Sequence, residues 1–596
     1  MEAKKLKLED MLKSLHNGEI QLPDFQRDWI WDDEKIKSLL ESVIRDFPIN
    51  SIMLLECNPD DTKFATRPIE GVDKTTVTAK PQILILDGQQ RLTSLFGVLF
   101  SDKPVTITKG KKEFFYYVDM QKAIDAVKNS ADVEDMIISV PSSGKLKAKG
   151  VNLDLSTEAK EFAASMFPLK KVFDGTLLNW IFGYTAHYQN DADKQKFVMD
   201  FNDCIKKISS YEVAIIKLEK NIPLAAVCKI FENANKGIAK LDTFDLLTSI
   251  FAAKTDADGN PIKLREDWEK IQADFADMGL NILQVVNSSD FITALTLLTG
   301  YRNSGDKKSV SCKSEDILKL DYADYIRRKD DIIGGFAETG KFLDEEGIVT
   351  TKYLPYSSQL VPMAAMFAEL KLSGKDNAAA RNKIRQWYWL SVFGETYRDG
   401  SKTRSARDFV DIMKWIYKGE EPKTFKKIDI AASKLMKLKS SSSAAYKGII
   451  AVIFKNGAKD FLAGKKMDLA ANYADSIEIH HIFPKRYCAT RNLPKDACES
   501  IANKTLILKK TNKIIGANPP SVYLQEIQRK TGLNGADMDE ILESHLIDAE
   551  LCRADDFQKF IVDRAKKILD AVENLTGRKV SARDSSDVKK IFGATL

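Results

Sequence analysis

Five histidines occur in the 596 residues, and two are adjacent: His480 and His481, in Ile477-Glu478-Ile479-His480-His481-Ile482-Phe483-Pro484. Further on stand Asn503-Lys504-Thr505-Leu506-Ile507-Leu508 and then Asn512. Phosphodiester hydrolysis needs a base to activate water, and neutral imidazole is poised for this near pH 7. It also needs a cation on the phosphate oxygens, which a Mg²⁺ held by a few side chains supplies while keeping positions open. An amide such as Asn503 can bond backbone near the histidine and fix its ring. The plainer alternative is a packed pair of histidines.

A second cluster lies near the other end, at Asp87-Gly88-Gln89-Gln90-Arg91. The run Gln82 to Leu86 before it is apolar and β-branched, as in a buried strand. Leu92, Leu95, Phe96 and Leu99 after it fall at i, i+3, i+4, i+7, as in a helix. The five residues therefore sit on a strand-to-helix turn. A helix start offers free N–H groups and positive dipole, which suits a phosphate, and Gly88 lets the backbone come close. The same residues also fit a tight turn with a capping Asp. Upstream, Leu22-Pro23-Asp24-Phe25-Gln26-Arg27 followed by Asp28-Trp29-Ile30-Trp31 carries its own Gln-Arg pair among aromatics. A third landmark is Phe231-Glu232-Asn233-Ala234-Asn235-Lys236-Gly237, then Leu241 and Asp245-Leu246-Leu247, which on spacing alone reads as helix, turn, helix.

The elements around these clusters follow from periodicity. Ile36, Leu39, Leu40, Val43 and Ile44 give a helix stripe capped by Asp32 or Asp33. Ser51–Leu55, Phe114–Val118 and Val213–Leu218 read as strands, with helical patterns at 159–165 and 192–208. Residues 57–81 read as a loop or loose hairpin, and 245–440 as mostly helical. The runs 477–482 and 504–508 read as strands, followed by a helix that carries Asn512.

Composition bounds the class. No apolar run approaches the length of a membrane span, and the start MEAKKLKLEDML lacks the apolar core of a signal peptide. Seven cysteines without a CxxC pair argue for reduced thiols in a cytoplasm, against a disulfide framework or a zinc ribbon. Net charge is only +5, so a nucleic-acid partner has to be read from local patches. One such patch is 480–530, with ten lysines and arginines against three acids. Lys485, Arg486, Lys504, Lys509, Lys510 and Lys513 are its candidate DNA contacts.

The motifs, in this order, resemble the GmrSD-type modification-dependent restriction enzymes. In that family an (I/L)Px(F/Y)QR segment and a DGQQR segment build a ParB-like nucleotide pocket. A FxxxNxxGxxLxxxDL segment lies near it, and a C-terminal HNH domain, a ββα-metal finger, carries (D/E)HIxP and later asparagines. The resemblance implies a mixed α/β, predominantly helical chain. It divides as a nucleotide-binding domain at 1–250, a helical middle at 251–438 and an HNH domain at 439–596. It implies that Gln26, Arg27, Gly88, Gln89, Gln90, Arg91 and Asn235 line an NTPase site that binds and hydrolyses GTP or another nucleoside triphosphate, with Asp87 serving Mg²⁺ or water. By position, His481 is the general base, Asn503 the orienting residue and Asn512 a metal ligand for Mg²⁺ or Mn²⁺. Where the family has an acid before the base, this chain has His480, which can ligate through a ring nitrogen. Glu478 shares its strand face and is a rival ligand. The implied partners are double-stranded DNA, modified phage DNA in particular, and a nucleotide, with no membrane and with room for a homo-oligomer. The competing reading is a ParB-like nucleotide switch on DNA with weak or absent nuclease activity.

Overall fold

The computed structural model describes the chain except for residues 1, 27, 60–63, 74, 76, 78, 108–111, 129–132, 134, 149–150, 224–225, 228–229, 231–241, 257, 261, 305–309 and 468–476. It divides into two compact units, Met1–Leu264 and Arg265–Leu596. The fold is mixed α/β, with the larger sheets in the N-terminal region and helices dominating the C-terminal one. Among the described residues, no helix is long and apolar enough to cross a membrane.

The first unit is built on a six-stranded sheet. In chain order its strands are β1 (Glu2–Lys7), β2 (Ile20–Pro23), β3 (Ile52–Glu56), β4 (Thr66–Arg67), β5 (Ile83–Asp87) and the strand Glu212–Leu218. They lie side by side as β1, Glu212–Leu218, β3, β5, β2, β4. Helices α1 (Leu8–His16), α2 (Asp33–Ile44) and α3 (Gln89–Leu99) pack their apolar stripes into one core with Leu54 and Ile85 of the sheet. Asp32 is the residue that caps α2, accepting from the Lys35 N–H at 3.0 Å. A second sheet holds Val105–Ile107, Lys112–Asp119, Ile137–Pro141 and Met166–Pro168.

In the six-stranded sheet, β1, β2 and β4 escaped the sequence reading. The alternating β1 looks like a charged leader, yet it pairs antiparallel with Glu212–Leu218 at the sheet edge, where lysines face solvent without cost. The segment 57–81 supplies β4, which pairs with β2. The expected helices at 159–165 and 192–208 are Glu158–Ala164 and Ala192–Ser209. The landmark 231–241, with Asn235, lies outside the described residues, as does Arg27. Past it, Asp242 caps the helix Thr243–Ala252 in a reciprocal capping box with Asp245.

In the second unit the helix Leu360–Leu372 is buried nearly throughout and packs against Tyr322–Glu345 and Ser288–Asn303. The aromatic stripe at Trp387, Tyr388 and Trp389 is core, on the helix Ala378–Phe393 that packs on Phe557–Thr576. Glu346 has no exposed surface and accepts from Arg385 at 2.6 Å, Trp389 at 2.7 Å and Lys455 at 2.7 Å. A buried carboxylate needs such compensation. Here it ties the middle helices to Ala444–Lys455, which leads toward the histidine pair.

Candidate functional site

The histidine pair ends a strand, Ile477–His481, that pairs antiparallel with Lys504–Leu508. The helix Lys509–Ile515 follows directly, so strand, strand and helix form one small unit. Alternation along the strand sends neighbouring side chains to opposite faces. The two rings accordingly stand 6.2 Å apart and nearly perpendicular, at 87°.

His480 shares its face with Glu478. Asn512, carried by the helix Lys509–Ile515, donates to Glu478 Oε2 at 2.6 Å. The three proposed ligands are thus gathered from a strand and a helix that pack together. His480 Nδ1 lies 2.9 Å from the His481 carbonyl oxygen, so a proton there makes Nε2 the nitrogen with the lone pair. Ligating histidines commonly have this arrangement, in which the second ring nitrogen bonds a carbonyl. Two oxygens and one imidazole are a donor set that suits Mg²⁺ or Mn²⁺. Among the described residues, no three His, Cys, Asp or Glu side chains converge as a metal-binding group. The set here depends on the asparagine.

His481 faces the other way. Its Nε2 is buried, has no hydrogen-bond partner among the described residues, and sits 3.5 Å from Glu499 Oε2. Burial, with Lys504 and Lys485 nearby, pushes its pKa down to about 4. Glu499 also pairs with Lys485 at 2.9 Å and reaches Lys504 at 4.0 Å. Sequence reasoning missed Glu499, because nothing in its spacing relates it to a histidine 18 positions earlier.

Asn503 is fully buried. Its amide donates to the carbonyls of Phe483 at 3.0 Å and Cys498 at 2.9 Å and accepts from the Phe483 N–H at 2.9 Å. Its own carbonyl takes the Ile482 N–H at 2.8 Å. The turn that follows His481 is therefore pinned on both sides by one asparagine. Arg564, from Phe557–Thr576, clamps the carbonyls of Ala502 at 2.6 Å and Lys504 at 2.8 Å, on either side of Asn503. Asp460 accepts from the Leu508 N–H at 2.8 Å and from the Thr511 hydroxyl, fixing the start of the helix that carries Asn512. Arg564 was not singled out in the sequence. Of the expected DNA contacts, Lys485, Arg486, Lys509, Lys510 and Lys513 are exposed. Lys504 is buried, and its ammonium donates to the Lys439 carbonyl at 3.0 Å.

At the N-terminal cluster, Asp87 closes β5 and Gln89 opens α3. Between them Gly88 has φ +95°, and a Cβ there would overlap the Ile52 side chain. Glycine is required by the backbone itself. The two Gln-Arg motifs are latched to each other. Gln26 donates to the Leu86 carbonyl at 3.3 Å and also to that of Ile85. Gln90 accepts from the Ile30 N–H at 2.9 Å and donates to the Asp28 carbonyl at 3.2 Å. Trp29 is core, its indole N–H on Ser94 Oγ at 3.1 Å. Arg91 donates to the Ile49 carbonyl at 2.6 Å and pairs with Asp87 at 3.1 Å. Gln89 is buried, while the Asp87 carboxylate is partly exposed. Beside the latch lies a cavity of about 530 Å³ lined by Asp24, Asp28, Trp29, Arg67 and Glu70. Arg67, from β4, donates to the Gln26 carbonyl at 2.8 Å and pairs with Glu70 at 3.3 Å. It is a further basic group that the sequence reading passed over as loop.

Two comparisons with known proteins bear on this chain. Residues 8–252 match the family model described as the GmrSD restriction endonuclease, N-terminal domain. The whole chain is also similar to an uncharacterized protein of Methanocaldococcus jannaschii. The two are 29% identical over 611 residues, which cover 95% of this chain and 98% of that protein. The family model ends well before the histidine pair.

Proposed function

We propose that this chain is a nucleotide-regulated DNA endonuclease of phage defence, acting on modified or foreign DNA by metal-dependent phosphodiester hydrolysis. The match of residues 8–252 supports a restriction endonuclease. The observation that carries the reading is His481. A buried imidazole nitrogen, without a hydrogen-bond partner among the described residues, ends a strand on which Glu478, bonded to Asn512, shares a face with His480. Glu478 and His481 also line one cavity, where an activated water and a phosphate-bound cation could meet the same phosphodiester. Within this reading His481 Nε2 takes the proton of the attacking water. Asn503 holds the His481 turn in place, and Glu478, His480 and Asn512 hold Mg²⁺ or Mn²⁺. That ion supplies charge neutralisation at the phosphate. At the other end, Asp87 and the N–H groups at the start of α3 serve the phosphates of GTP or another nucleotide. Gln26 and Gln90 keep that turn in register.

Metal-dependent nicking of supercoiled plasmid tests the nuclease. His481→Ala should lose at least about 100-fold in rate, the lower end of what a general base contributes, and should keep Mn²⁺ affinity. His480→Ala should weaken Mn²⁺ binding, with partial rescue at raised metal. Loss of metal in Glu478→Ala together with retention in His480→Ala reassigns the ligand. Unchanged nicking in both histidine variants removes the nuclease reading.

A further inference from the structure

His481 opens onto a cavity of about 840 Å³ within the second unit, inside the range of roughly 300–1,000 Å³ that ligand pockets take. Four lysines line it: Lys352, Lys439, Lys447 and Lys504. Among the described residues, the only carboxylate in the wall is Glu478. Lys352 and Lys447 come from outside the strand–strand–helix unit. Lys447 is ordered by donation to the Leu354 carbonyl at 3.0 Å, and burial holds its pKa below the usual lysine value. Lys504 lies 5.7 Å over the Tyr446 ring. The serines at 440–442 add hydroxyl donors to the same wall.

Four cations converging on one cavity repel one another unless anions intervene. In the free protein part of that charge is met from the short helix Lys495–Glu499. Asp496 pairs with Lys439 at 2.8 Å, and Glu499 reaches Lys504 at 4.0 Å. The Asp496 pair is largely exposed on both sides, so it is weak and exchangeable. Lys352 has no carboxylate partner among the described ion pairs. A wall of ammonium and hydroxyl donors, ending at an imidazole, is chemistry for a chain of phosphodiesters.

We propose that this cavity seats the DNA strand on its way to His481, with Lys352, Lys439 and Lys447 as backbone-phosphate contacts and Asp496 as the carboxylate that a phosphate displaces. The assignment rests on the nuclease reading for its direction, but its binding chemistry is tested without cleavage. The test is fluorescence anisotropy of a labelled duplex with the full-length chain in EDTA, over a series of salt concentrations.

Lys352→Gln/Lys439→Gln should weaken binding at least tenfold at low salt. It should also lower the slope of log K against log salt by about 1.8, from about 0.9 per lost phosphate contact. Asp496→Asn should tighten binding several-fold, a gain that misfolding does not produce. Wild-type affinity and slope in the double variant overturn the proposal, as does absence of duplex binding by the wild type. A double variant that loses nucleotide binding and keeps DNA assigns the cavity to nucleotide and also overturns it. The two readings fail separately. Lysine-dependent DNA binding with no nicking under any metal removes the nuclease and leaves the cavity. Nicking with unchanged kcat/KM in the double variant removes the cavity and leaves the nuclease.

Discussion

His545 is a histidine that no motif draws attention to, and it is the most deeply placed of the five. Its ring is fully buried, with Nε2 2.7 Å from the Lys459 carbonyl and Nδ1 2.6 Å from the Thr505 hydroxyl. The carbonyl can only accept, so Nε2 carries the proton and Nδ1 accepts from Thr505, the residue opposite His480 across the hairpin. A second proton would place a charge in a fully buried ring. Burial therefore pushes the pKa down from 6.5 to about 4. Because the folded value lies below the unfolded one, the unfolded chain binds more protons between the two. The stability that neutral His545 provides is complete above about pH 6.5 and is lost as pH falls toward 4. By pH 5 the loss is on the order of 2 kcal/mol. Urea unfolding at pH 7 and pH 5 checks this: the acid-side loss should be smaller by about that amount in His545→Gln. An equal loss in both proteins places the acid sensitivity elsewhere.

At the scale of elements, the β5–Gly88–α3 turn shows how a ligand-suited geometry is made by packing. The left-handed backbone at Gly88 costs an L side chain roughly 1–2 kcal/mol, and the Ile52 methyl adds an overlap in a filled core. Gly88→Ala should therefore destabilise the first unit by about 2–4 kcal/mol. It should also shift the α3 N–H groups and, on the proposed nucleotide reading, impair NTP hydrolysis. Adding Ile52→Val, which removes the overlapping Cδ1, should recover the steric part and leave the backbone part. Thermal unfolding of the single and double variants separates the two. Recovery to wild type would falsify the claim of backbone strain. On the proposed nucleotide reading, Asp87→Ala should abolish NTP hydrolysis without this loss of fold, since its carboxylate is partly exposed and, among the described ion pairs, meets only the neighbouring Arg91.

At the scale of the whole molecule, the two chemical clusters lie in different compact units, Met1–Leu264 and Arg265–Leu596. Communication between them then takes a conformational equilibrium that a ligand of one unit biases, because a ligand shifts a population only through differential affinity. NTP is expected to change the rate of DNA cleavage at least several-fold. The check is nicking of modified and plain DNA with each nucleotide in turn. Identical rates throughout would remove the switch and leave two independent activities.

The sequence by itself determined the local pieces. The stripe of Ile36, Leu39, Leu40, Val43 and Ile44 buries as a helix, the run before Asp87 is a strand, and the histidine run pairs with 504–508. These follow from period and turn chemistry, which act between residues close in the chain. The match of residues 8–252 agrees with the Gln-Arg and DGQQR motifs. What the tertiary structure decided is which groups meet across distance. Glu499 reaches His481, Arg564 and Asp460 brace the asparagines, and Lys352 and Lys447 join the cavity from well before the histidines. It likewise turned Gln26, Gln90 and Lys504 inward onto backbone carbonyls. A residue type states which bonds a side chain is able to make. Only the packing of segments distant in sequence selects which of them it makes.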